Sequence, residues 1–174
     1  MIAPAYVQTM AAYNAEMNRR LYAAAGRLSE AERRADRGAF WRSIHGTLNH
    51  LLWGDRAWMA RLAGWEKPAQ ALAESDRLYD DFSQLSDARV RADAGLSEWA
   101  AGLDASALAG SLTWYSGAAG REMARPRGFL VMHLFNHQTH HRGQVHAMLT
   151  ASGERPGDTD LPLVLPPDAD QRQP

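Results

Sequence analysis

The stretch "RGFLVMHLFNHQTHHRGQVHAMLTASG", residues 127–153, decides the fold because one helical period runs through all of it. On a helix that turns about 100° per residue, Leu130, Leu134, His137, His141 and Met148 share a narrow stripe. The two central members of that stripe are histidines four positions apart. Residues at i and i+4 sit one above the other, so two imidazoles at that spacing can reach a single ion. His133 and His140 flank the stripe, while His146 points away from it toward solvent. The competing reading is that these are core histidines satisfied by ordinary hydrogen bonds. A third ligand from another helix separates the two readings.

Three further stretches carry the same period. After Pro4, a residue suited to a first helical turn, Tyr6, Met10, Tyr13, Met17 and Leu21 lie along one face, and Gly26 ends it. "LSEAE" then offers a capping box, Ser29 with Glu32, for one short turn of helix. The second long helix is expected over about residues 40–63, its stripe formed by Ile44, Leu48, Leu51, Trp58 and Leu62. The third is expected over about residues 75–103, with Leu78, Phe82, Leu85, Ala92, Leu96, Trp99 and Leu103 alternating by four and three. Such spacing suits long antiparallel helices, so the expected fold class is all-α, a four-helix bundle. Residues 105–126 break the pattern around a Gly-rich turn and predict a small hairpin inserted before the last helix. Residues 1–174 read as a single domain, with about residues 165–174 as a loose Pro-rich tail.

Composition narrows the function classes. At 45% hydrophobic and 22% charged, the chain has the make-up of an ordinary soluble globular protein. A formal net charge of -1 argues against nucleic acid as a partner, because that binding needs a concentrated basic surface. No apolar run approaches the roughly 18 residues that span a bilayer, and the N-terminus lacks the pattern of a signal peptide. A cytoplasmic location without membrane association is the expectation. With no cysteine in the chain, disulfides, thiolate nucleophiles and cysteine-ligated zinc are all excluded.

The second helix supplies candidates for a third ligand in "HGTLNHLLWGDRAW", residues 45–58. His50 flanks the apolar stripe on the side of Thr47 and Gly54, two small residues that let another helix approach. His45 lies on the opposite flank, so His50 is preferred. Three neutral histidines from two helices leave open coordination positions and suit Zn, Ni, Fe or Co. The string "HQTHH" differs from the zinc-protease motif HExxH, because Gln138 stands where that motif has its general base. The Glu-x-x-His pairs of di-iron bundles are absent too, since three positions before His137 stands Leu134. One metal held by histidine remains.

Asp55 and Arg89 each interrupt an apolar seam. They read either as a buried ion pair or long side chains reaching water, or as an orienter for a histidine and an anchor for a substrate carboxylate. Arg142 is expected against a neighbouring helix or solvent. Trp53, Trp58, Trp114 and Tyr115 are candidates for pocket lining, core or a dimer interface.

A histidine on the second helix followed by "LLWGDRAWMARLAG", then a late "HQTHHRGQ", resembles the DinB-like family, called damage-inducible proteins. The resemblance covers roughly residues 5–165, including "GERPGDTDLP", and its most specific motif is H-x-x-x-H-R-G-Q at 137–144. It implies a four-helix bundle shared with metal-dependent thiol S-transferases and a maleylpyruvate isomerase. It also implies that the metal-binding histidines are His50, His137 and His141, the metal being Ni or Zn. Relatives with known activity use the metal to bind a low-molecular-weight thiol (mycothiol, bacillithiol or glutathione) whose thiolate attacks an electrophile. By that resemblance the chain is expected to be a homodimer acting on a small-molecule substrate, a thiol S-transferase in character. The alternative is a non-catalytic metal-binding or stress-associated protein.

Overall fold

The computed structural model describes residues 1–165, and the expectation of a loose tail lies, apart from Leu165, outside them. The chain is mostly helical. Four long helices, α1 (Pro4–Arg27), α3 (Ile44–Ala63), α4 (Phe82–Ala101) and α5 (Arg127–Ala151), carry the core. Two are short: α2 (Glu30–Arg34) sits between α1 and α3, and α6 (Leu161–Val164) follows α5. The hairpin foreseen before the last helix is β1 (Ser111–Ser116) paired antiparallel with β2 (Arg121–Pro126), which runs straight into α5.

Capping explains where the helices start. Ser29 and Glu32 form the reciprocal box foreseen from sequence and begin α2. α3 begins at Ile44 rather than near residue 40, because Arg42 takes a left-handed φ of 63° and Ser43 then caps Gly46 N. α4 begins at Phe82 rather than near residue 75. Asp81 accepts from Gln84 N at 2.8 Å, and residues Leu72–Arg77 form a separate 3-10 helix.

α1 packs against α4 and α5, and α3 packs against the same two helices. Two apolar clusters fill the interior. One gathers Leu21, Leu48, Leu85 and Leu149, the other Val7, Met59, Leu96 and Phe135. The order in which each helix visits the clusters gives its direction: α1 and α5 run one way, α3 and α4 the other. The packed pairs α3–α4 and α1–α5 are therefore parallel, which differs from the expectation that the spacing suits long antiparallel helices. Apolar spacing fixes which face of a helix is buried, not which way the helix points. A parallel pair also requires the connection after α3 to travel back along it. That return path is pinned to α3 by Trp53 Nε1 donating to Gln70 O (2.9 Å) and Tyr79 N donating to Asn49 Oδ1 (2.7 Å).

Between the two apolar clusters every long helix contributes a buried polar residue. Asn14 and Asn18 come from α1, Asp55 from α3, Arg89 from α4, and Gln138 and Arg142 from α5. Arg89 meets Asp55 at 2.5 Å and Asp93 at 2.8 Å, and Gln138 Nε2 donates to the other Asp55 oxygen at 2.7 Å. Asp55 and Arg89 thus form the buried ion pair. Asp55 does not orient a histidine, and Arg89, with both neighbours taken, is no substrate anchor.

Candidate metal centre

α3 and α5 cross where His50 faces His137 and His141. One nitrogen from each of the three rings lies within 4.8 Å of the others, so the trio could hold a metal ion. His50 Nε2 and His137 Nε2 are 3.2 Å apart. Two nitrogens sharing an ion at about 2.1 Å each stand roughly 3.0–3.4 Å apart, so the spacing fits a common ligand atom set. The i, i+4 step on α5 stacks His137 and His141 with ring centroids 4.5 Å apart.

Each ring is held by a different device. His50 Nδ1 pairs with Ser75 Oγ at 2.8 Å, a hydroxyl brought in by the 3-10 helix on the return path. Trp41 stacks on the same imidazole at a centroid distance of 4.2 Å. His141 Nδ1 pairs with Gln144 Oε1 at 2.8 Å. A carboxamide oxygen only accepts, so Nδ1 carries the proton there and Nε2 keeps its lone pair for the cluster. His137 lies over Gly54. A Cβ on that glycine would stand 2.7 Å from His137 Cε1, so only glycine admits the ring.

Electrostatics keep the cluster neutral. Burial, then the neighbouring His137 and His141, pushes His50 down to about 3. Burial, then His141, does the same to His137, also to about 3. Burial lowers His141 as well. Neutral imidazole is the form that binds a metal, so no proton competes for these lone pairs near neutrality.

The structure brings His50, His137 and His141 together and leaves the other histidines outside. His45 turns to Tyr79 O at 3.0 Å. His133 packs on Trp58 at 5.0 Å, with its centroid 6.0 Å from that of His137. His140 lies on the exposed side of α5, and His146 pairs with Gly157 O at 3.2 Å. Trp58 joins α3 to the hairpin through Trp114 at 5.7 Å, whereas Tyr115 is exposed. Sequence reading did not give roles to Ser75, Trp41 and Gln144. Gln144 was within reach of it, being three positions after His141. Ser75 and Trp41 were not, because both come from irregular segments whose path no period encodes.

The model of the DinB family matches residues 1–172. No curated protein and no solved structure matches the chain. The match runs through both helices that carry the histidine trio and nearly the whole sequence, and the chain belongs to the DinB family.

Proposed function

We propose that this protein is a mononuclear divalent-metal protein whose ligands are His50, His137 and His141, built on a single-domain four-helix bundle formed by α1, α3, α4 and α5. The observation that carries the proposal is the trio itself: three neutral imidazoles from two helices, with two Nε2 atoms 3.2 Å apart. Ni or Zn suits such a set, and three protein ligands leave positions open for an exogenous group. A bound divalent metal supplies Lewis acidity that stabilises a coordinated thiolate at neutral pH.

The reaction class proposed is transfer to an electrophile from a low-molecular-weight thiol. A chain without cysteine has to take that thiol from outside. In this reading Ser75 and Gln144 hold the ligand tautomers, Gly54 admits His137, and Trp41 keeps the His50 plane fixed. The protein works as a cytoplasmic homodimer on a small-molecule substrate. No helix among the described residues is long and apolar enough to cross a membrane.

The test is single-turnover thiol transfer with metal-loaded protein, glutathione or a bacillithiol-type thiol, and a small electrophile, beside His137→Ala. Metal-dependent thiol consumption that the variant lacks supports the transferase. A second reading has one observation in its favour: among the described residues the cluster contains no carboxylate to serve as an acidic general base. It makes the protein a non-catalytic metal binder. Stoichiometric metal with no thiol ligation by cobalt absorption spectroscopy would select it.

A further inference from the structure

α5 buries its arginine differently from α4. Arg89 on α4 is 2% exposed and lies between Asp55 and Asp93. Arg142 on α5 is 4% exposed and forms no ion pair among the described residues. Among the described residues its Nη1 has no hydrogen-bond partner, and its Nη2 reaches only Thr139 Oγ1, at 3.3 Å. The Tyr13 ring lies 5.4 Å from the guanidinium carbon, and the carboxylates of Asp55 and Asp93, committed to Arg89, act on Arg142 only from beyond ion-pair distance. A buried guanidinium with no anion in contact is an expensive arrangement, since desolvating the charge costs several kcal/mol and neutral contacts together with distant charges return only part of it.

Arg142 is also not walled in. It lines a cavity of about 450 Å³ between α1 and α5, together with Tyr13, Thr139, Gly143, His146 and Thr159. The outer wall is the segment after α5, bolted down where Tyr13 Oη donates to Thr159 O at 2.7 Å and His146 Nε2 pairs with Gly157 O at 3.2 Å. That volume lies in the range of small-molecule sites and exceeds what a bare ion needs. Arg142 belongs to the α1 side of α5, while His141 faces α3, so the cavity is separate from the histidine trio.

The geometry points to a second ligand site: a small molecule bearing an oxyanion group, carboxylate or phosphoryl, that Arg142 engages in the α1–α5 cavity. A guanidinium presents a planar fork of donors that fits either group bidentately, and the hydroxyls of Thr139 and Thr159 stand ready as further donors. The rest of the ligand would lie against Tyr13, Met17 and Ala147, which also line the cavity. The inference does not depend on the metal reading.

The experiment is thermal denaturation of the full chain with inorganic phosphate or acetate replacing chloride at constant ionic strength. Wild type should show a saturable rise in Tm with at least one of the two anions, and the responding anion names the group recognised. Arg142→Met should weaken that response about tenfold or more, the loss of a charged hydrogen-bond donor pair. Should Arg142→Met fail to fold, Gly143→Leu serves instead. Among the described residues nothing lies within 4 Å of a Cβ at Gly143, so a larger side chain fills the cavity without moving the helix. It should abolish the response. His50→Ala, which dismantles the trio, should leave the response as in wild type. No saturable effect of either anion would overturn the site, as would an undiminished response in Arg142→Met or Gly143→Leu. Loss of the response in His50→Ala alone would move anion binding to the histidines and overturn it equally.

Discussion

At Gly54 a single hydrogen in place of a methyl group decides whether His137 can stand beside His50. Gly54→Ala places a Cβ 2.7 Å from His137 Cε1, and the ring must rotate or α5 must retreat. Alanine gains about 1 kcal/mol in helix propensity over glycine, so the helix itself is not the casualty. The expected outcome is retained helicity by circular dichroism with metal affinity weakened about tenfold or more, the cost of losing one well-placed ligand. Asp55 works at the same scale but in the opposite sense, holding the fold and not the site. Asp55→Ala removes the acceptor of both Arg89 and Gln138, leaving a buried cation with half its partners. A loss of about 3–5 kcal/mol in urea denaturation is expected. A loss under about 1 kcal/mol would mean the pair is solvated, as exposed pairs are.

The helices bring the same residues into a pH dependence. Below the ordinary histidine pKa near 6.5 the unfolded chain takes up protons that the folded trio refuses, since burial holds His50 and His137 at about 3. Stability from this source is complete above pH 6.5 and is lost as pH falls toward the folded values. The urea midpoint of metal-free protein should therefore drop steadily between about pH 7 and 5, whereas a flat profile there would show the rings to be solvated. Capping gives a second test for α3. Ser43 Oγ accepts from Gly46 N at 3.0 Å, and Ser43→Ala should cost about 1 kcal/mol of stability with no change in metal affinity.

Element boundaries also show what was legible in the chain. α5 was readable nearly to the residue, because a period of 3.6 runs unbroken from Arg127 and Gly153 closes it. The start of α4 was not, since Leu78 and Phe82 keep the spacing across the Asp81 cap that divides them. Apolar spacing extended the helix through a break made by hydrogen bonding. His50 could be preferred over His45 because Gly54 and Thr47 mark the side another helix can approach. Ser75 could not be foreseen, as it arrives on a loop whose course follows from the parallel pair.

For the whole molecule, the direction of the helices and the position of the site are linked. Because α4 runs parallel to α3, the chain must return along α3 before α4 begins, and the return path delivers Ser75 to His50. The histidines and Ser75 of the site therefore join three parts of the chain: α3, α5 and the connection that the topology demands. A ligand bound there ties these parts in the folded state only, so it should raise Tm by mass action. The most direct test is elemental analysis of tag-free protein, wild type beside His50→Ala. The account predicts about one equivalent of a divalent transition metal in the wild type and essentially none in the variant, with Ni or Zn the metal found. Metal absent from both after reconstitution, or equal in both, would contradict it.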